Sequence, residues 1–466
     1  MPLDQNMNIT IQKLKETLKV NESFDFVYRT MKFNGHTAAI FFIDGLLKDS
    51  VVEKIIEFFY SVKDESAYKD AHSFSKEGVP YVEVDISSDI DKISTSILAG
   101  MMALVIEGFD EAILIDTRTY PQRDTGEPEK DRVLRGSKDG FVETLICNTA
   151  LIRRRIRTPM LHIKAFNVGN LSKTDVAVCY IENKVDKKLL KEITQKIEDI
   201  DVESLTMNQQ SLIEELYHFK WYNPFPKVKF TERPDTASSA IYDGNIVILV
   251  DNSPFAIIIP TSIFDVLEEA DDYYFPPITG TYLRISRYLI SLTTLIITPL
   301  WLLALQFPNY IPHTFKFLIP SEDINIPIFW QLILLELVID GLKLASLHTP
   351  SSVSTTLSII GAIILSDFAV KSGWFNTEAM LYMAFVAVSN YTQQSLELGY
   401  ALKFLRITLL ILTQLFSIWG FIGGLVLVLV LLISNKTVSG KSYLYPLIPF
   451  NGKALSKRFI RTTTNK

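Results

Sequence analysis

Residues 288–307 read YLISLTTLIITPLWLLALQF, twenty residues without a single charge. A helix of that length, rising 1.5 Å per residue, covers the hydrocarbon core of a bilayer, so the stretch predicts a membrane span. Arg284 and Arg287 stand just before it, whereas residues 309–326 set Lys316 against Glu322 and Asp323. The tendency of cations to stay on the cytosolic side then places the preceding sequence in the cytosol.

Toward the C-terminus, residues 327–347 are uncharged except for Glu336, Asp340 and Lys343. Spacings of four and three stack these on one helical face. Each would cost about 2.5 to 3.5 kcal/mol at the bilayer centre, so the face is expected against protein or water. The stripe is a candidate ion pathway, with Glu336 and Asp340 attracting cations, Lys343 as counter-charge and Asp367 in the segment beyond. The alternatives are a plain Asp340–Lys343 pair, or side chains reaching the cytosolic interface.

Residues 350–366 and 379–396 are two further uncharged runs, rich in small residues that suit close helix packing or a water-lined surface. Residues 407–435 form the longest uncharged run, interrupted by Gly420, Gly423 and Gly424, and from Lys436 onward seven basic residues meet no acidic one. That tail is expected in the cytosol, which requires an even number of crossings, taken as four. Either the chain re-enters at 420–424 or one central run lies at the interface.

The N-terminal part alternates charged and apolar residues as globular domains do. Strands are expected at 37–43, 81–86, 111–116, 161–166, 176–181, 246–250 and 256–259, and helices at 51–62, 93–106, 141–156 and 187–200. The expected architecture is an α/β cytosolic region of two subdomains, 1–157 and 158–283, followed by an all-α polytopic membrane domain, 284–435, and a basic cytosolic tail, 436–466. Residues 120–140 read as a polar surface loop, and Asp271–Pro277 (DDYYFPP) as a stiff strap above the membrane.

A net charge of -6 gives no basic field for nucleic acid. Cys147 and Cys179 form neither a disulfide framework nor a metal-ligand cluster, and residues 1–19 lack the apolar core of a secretory signal. No phosphate-binding glycine loop, His-Glu-x-x-His pair or nucleophile elbow occurs. Neither an enzyme nor a bound cofactor or metal is expected.

Several motifs then fall into a known order. Arg135-Gly136-Ser137-Lys138-Asp139-Gly140-Phe141-Val142-Glu143 is followed by Asn148, Arg153-Arg154-Arg155, Thr231-Glu232-Arg233-Pro234-Asp235, the run Val250 to Phe255 and Asp272-Tyr273-Tyr274. On these residues the chain resembles the GerA family of spore germination proteins. Glu336 with Asp340 and residues 345–350 (ASLHTP) resemble its stage V sporulation branch more than the A subunits of nutrient receptors; residues 389–394 (SNYTQQ) depart from the family at an expected proline.

The resemblance implies a protein of the inner spore membrane, self-associated in rings that conduct ions during germination beside other germination proteins. A non-conducting receptor subunit or scaffold is the alternative. By residue type alone, the arginine cluster reads as a helix-terminal charge cluster or as a contact for a neighbouring subunit or anionic headgroup. Thr231–Asp235 reads as helix capping or as a ligand site.

Overall fold

The computed structural model describes residues 3–462 apart from 4–5, 19, 21–25, 34, 44–45, 62–68, 120–123, 129–130, 218–219, 349–368, 438–439 and 441. Residues 1–123 and 124–466 form two compact units.

In the first unit, the run TAAIFFI becomes part of β2 (His36–Ile43), with alternate side chains feeding two cores. Ala38 and Ile40 pack toward Ile55 and Phe59 of α2 (Asp49–Ser61). Ala39 and Phe41 pack toward α1 (Met7–Leu18) and α3 (Ile90–Leu98). Covering both faces is what makes the strand apolar throughout rather than alternating. With β1 (Phe26–Phe33), β3 (Val84–Ser87), β4 (Met102–Ile106) and β5 (Ala112–Ile115) it forms an antiparallel sheet of order β1-β2-β4-β5-β3.

The helix expected over 93–106 is overturned in its second half. It stops at Leu98, and Met102–Ile106 is a buried inner strand. Gly100 adopts φ +93, outside the helical region, and turns the chain between two apolar segments that share no break in hydropathy.

The second unit contains β6 (Leu161–Val168), β7 (Thr174–Ile181), β8 (Lys229–Thr231), β9 (Ile246–Val250) and β10 (Ala256–Ile259), in the order β6-β7-β9-β10-β8. Counted from its own first strand, this repeats the order of the first sheet, again antiparallel throughout. No sequence period announces the repetition. One face carries α5 (Lys187–Glu198) and α6 (Gln209–Leu216), the other α4 (Leu145–Arg155) and α7 (Pro234–Tyr242).

Phe141, Leu145, Ile152 and Ile156 are buried with this second sheet, so the segment 124–157, assigned by sequence to the first subdomain, packs with the second. Nor are residues 120–140 wholly a surface loop: Asp131, Val133 and Gly140 are buried.

Beyond this sheet the chain is helical. α8 (Pro277–Gln306) starts on a proline whose missing N–H needs no partner at that position. It is followed by α9 (Ile328–His348), α10 (Thr377–Tyr391) and α11 (Leu396–Ser434). α8 and α11 are long and apolar enough to cross a membrane. Trp301, Leu302, Leu332, Leu335, Met383, Val386 and Leu410 join the four helices in one core.

α11 is not one rod. Ser417 takes φ 50, ψ -129, and the chain doubles back. A Cβ on Gly420 would lie 1.8 Å from the Leu412 carbonyl oxygen, and one on Gly424 would meet Leu409. Val428 packs among Leu398, Ala401, Leu402 and Leu405. The result is a helical hairpin with legs 396–416 and 418–434, its bend three residues before Gly420.

Both ends of the hairpin reach the surroundings of the second sheet. Gln394 donates to Asp131 beside the first leg, and Asn223 donates to the Leu431 carbonyl, 3.2 Å, at the end of the second. The final helix α12 (Gly452–Phe459) lies back on the start of α8, with Phe459 against Tyr288 at 5.0 Å and the Arg461 N–H donating to Thr281 Oγ1 at 3.1 Å. The tail thus returns to the end of the helical half that carries the sheet.

Candidate functional site

The face of α9 singled out by sequence is turned toward α11. Glu336, 3% exposed, accepts from Arg406 Nε at 2.7 Å and pairs with Nη2 at 2.6 Å. Lys403 stands 3.7 Å from Glu336 Oε2, donates to the Glu336 carbonyl at 3.3 Å and pairs with Asp340. Arg406 also donates to the Thr294 carbonyl of α8 at 3.2 Å, so three helices converge on it.

Two carboxylates and two cations sum to zero formal charge. That balance is the condition under which ionised groups persist in a low-dielectric interior. Lys343, expected as a structural counter-charge, lies over the Tyr400 ring, 4.4 Å from its centroid. Asp367 lies outside the described residues.

The cations supplying the network, Lys403 and Arg406, were not singled out by sequence. Their signal was available: two cations three apart, hence on one helical face, immediately before the uncharged run at 407. Asp340, with 33% of its side chain exposed, opens onto a cavity of about 30 Å³ shared with Lys343, Asn390, Ser395, Tyr400 and Lys403. It has room for one or two waters among polar groups.

A second constellation gathers most of the motif residues. Arg233, 1% exposed, donates to both oxygens of Asp235 (Nε 3.0 Å, Nη2 2.6 Å) and to the carbonyls of Asp131 (3.2 Å) and Ser137 (3.0 Å). Pro234 opens α7, so Arg233 is its N-cap residue and Thr231 still belongs to β8. The buried Asp131 carboxylate takes the Thr231 hydroxyl at 2.7 Å, the Glu232 N–H at 2.9 Å and Gln394. Tyr274 donates to Asp235 at 2.5 Å.

Gly136 at φ +110 lies so close to the Tyr274 ring that a Cβ would meet it at 2.3 Å, and Arg135 stands over Phe275, 5.6 Å from its centroid. The motifs therefore fasten the 131–140 segment to the strap before α8. Gly140 closes that segment, donating to the Gly126 carbonyl at 2.8 Å, while the Glu143 carbonyl accepts from Asn252 at 2.8 Å and the Glu232 carbonyl from Phe141 at 2.8 Å.

The three arginines of α4 part company. Arg153 caps carbonyls of Thr158 (3.1 Å) and Leu161 (3.0 Å), Arg154 is exposed, and Arg155 joins the fastening by pairing with Asp139 at 2.7 Å. Burial raises the Asp139 carboxyl's pKa, but the bonds from Arg155 and Ser137 outweigh it and hold it below its ordinary 3.8. A depressed carboxyl stabilises the fold fully above that ordinary value and ceases to do so as pH falls through the depressed one. Acid titration of the full chain is expected to show an unfolding limb below pH 3.8 that flattens in an Asp139→Asn variant; an unchanged limb would place the acid sensitivity elsewhere.

At the junction itself, Asp272 is fully buried between Arg284 (3.3 Å) and Arg287 (3.0 Å). Arg284 also pairs with Glu268 at 3.0 Å, and Arg287 with Glu269 at 2.8 Å. The two arginines in the first turns of α8 are thus neutralised structural groups.

A family model described as Bacillus/Clostridium GerA spore germination protein matches residues 12–466, which hold both constellations. Stage V sporulation protein AF of Bacillus subtilis (strain 168) is 35% identical over 449 residues, covering 96% of this chain and 91% of that protein. Spore germination protein KA of the same organism is 27% identical over 461 residues, covering 97% and 84%. Among solved structures, the N-terminal domain of the A subunit of the Bacillus megaterium spore germinant receptor GerK3 matches with 25% identity, 56% of this chain, 96% of that chain and a TM-score of 0.22.

Proposed function

We propose, from the premise that this chain belongs to the GerA family of spore germination proteins, that it is a multi-pass membrane subunit which conducts ions when several copies associate. The observation that carries this reading is the four-charge network between α9 and α11, extended at Asp340 into a polar cavity. Ionised groups at that depth are tolerated where protein or water surrounds them. Glu336 with Arg406 is the fixed part, and Asp340 with Lys343 the edge that faces the ions.

The legs of the α11 hairpin, at 1.5 Å per residue, reach about 31 and 25 Å, close to the hydrocarbon thickness. Each is long enough to cross, so the hairpin adds two crossings in place of a shallow re-entry and leaves the parity of the total unchanged. Counted with α8, α9 and α10, the described helices offer five crossings, one more than hydropathy suggested, and the uncharged run 350–366 lies outside the described residues. The α/β region and the basic tail share the cytosolic side of the inner spore membrane, and other germination proteins of that membrane are the expected partners. No catalytic reaction is assigned.

A second reading, a non-conducting receptor subunit or scaffold, is favoured by one observation: both carboxylates already have cations, as in a purely structural fastening. Purified full-length protein in vesicles separates the two. Conduction predicts ion flux whose selectivity changes in Asp340→Asn, and a folded protein that passes no ions supports the scaffold.

A further inference from the structure

We infer that the segment 443–461 is an interfacial anchor that takes the headgroups of anionic phospholipids. The inference rests on the membrane placement proposed for this chain. Two side chains root the segment: Tyr443 is fully buried beside Phe225, with ring centroids 6.2 Å apart, and Leu444 is buried next to it. The Tyr443 carbonyl accepts from the Ile263 N–H at 3.0 Å. The neighbouring apolar residues face outward instead. Leu447, Ile448 and Phe450 are 44%, 42% and 74% exposed in the turn that runs from Tyr443 to Phe450.

The next helix sorts its cations. Arg458 of α12 turns inward and pairs with Asp265 and Glu268, each at 2.6 Å. Lys453 and Lys457, four residues apart and therefore on one face, are exposed and make no ion pair among the described residues. Docking onto the α/β region accounts for Arg458 but leaves both lysines and Phe450 without a role.

Position supplies that role. α12 lies along the first turns of α8, where Ile278 and Tyr282 are 81% and 68% exposed, and it follows the end of an apolar hairpin leg. In water, such an apolar patch is a liability; at a bilayer surface, aromatics settle at headgroup depth and lysines extend toward phosphates. From Lys436 on, seven cations and no acidic residue make the charge complementary to an anionic leaflet. Each outward lysine should raise the segment's affinity for an anionic surface about five-fold.

The test uses the full-length Phe450→Trp variant in mixed phosphatidylglycerol and phosphatidylcholine vesicles, with bromine quencher on the chains of one lipid at a time. Subtracting the parent's fluorescence isolates position 450. The anchor predicts stronger quenching from brominated phosphatidylglycerol, with the difference lost in Lys453→Gln/Lys457→Gln. Equal quenching by both lipids, or none at 450 while native Trp330 and Trp419 are quenched, overturns the anchor and leaves the membrane placement standing. Native tryptophans untouched by either lipid would overturn both.

Discussion

An Arg406→Leu variant is expected to lose about 3 to 5 kcal/mol of stability, because it strands a buried carboxylate. Glu336 has 3% exposure, so water cannot replace the lost guanidinium. Lys403 at 3.7 Å is already shared with Asp340. Removing both partners at once, Glu336→Leu with Arg406→Leu, should cost far less, since no unpaired charge remains and the apolar side chains refill the space. Unfolding of the detergent-solubilised full chain, followed by helix content, measures both. A double variant as unstable as the single one would mean that packing, and not charge, joins α9 to α11.

Arg233→Met is expected to have an effect of similar size, about 3 to 5 kcal/mol, through the loss of four charge-assisted bonds in a dry environment. The consequence is local as well. Asp235 loses its bidentate partner, and the Asp131 and Ser137 carbonyls lose the donor that draws 131–140 onto α7. Limited proteolysis of the full chain should then cut faster between residues 124 and 140. Arg233→Lys should rescue little, because an ammonium cannot bridge both oxygens of Asp235 and two carbonyls from one planar fork. Unchanged cleavage in Arg233→Met would show the segment to be held by other contacts.

The division between an α/β region and an apolar helical region was legible from residues 288–307 and the strand at 37–43, since both depend on local composition and period. The family was legible too, from motifs that keep their order along the chain. Less legible was anything decided at long range. Lys403 meets Asp340 across 63 residues and Arg406 meets Glu336 across 70, so helix periodicity revealed the acidic face but not its partners.

Asp131 sits in a stretch whose polarity reads as solvent-exposed. It is buried because its acceptors are filled from 100 and 263 residues away, by Thr231 and Gln394. Within 93–106, apolar residues satisfy helix and strand alike, and one glycine conformation settles the matter. The bend of α11 likewise occurs at Ser417, a residue type that does not mark a turn inside an apolar run, while the glycines beyond it serve the close approach of the two legs.

The proposed ion conduction requires the Asp340 edge of the network to face a hydrated axis in an assembly of several copies. Imaging the detergent-solubilised particle at side-chain resolution measures that directly. Conduction predicts a ring of several copies with Asp340 and Lys343 at a hydrated central axis and Glu336 locked to Arg406 behind them. A solitary copy, or a ring whose axis is lined by other residues while Asp340 lies dry against its own helices, would contradict it.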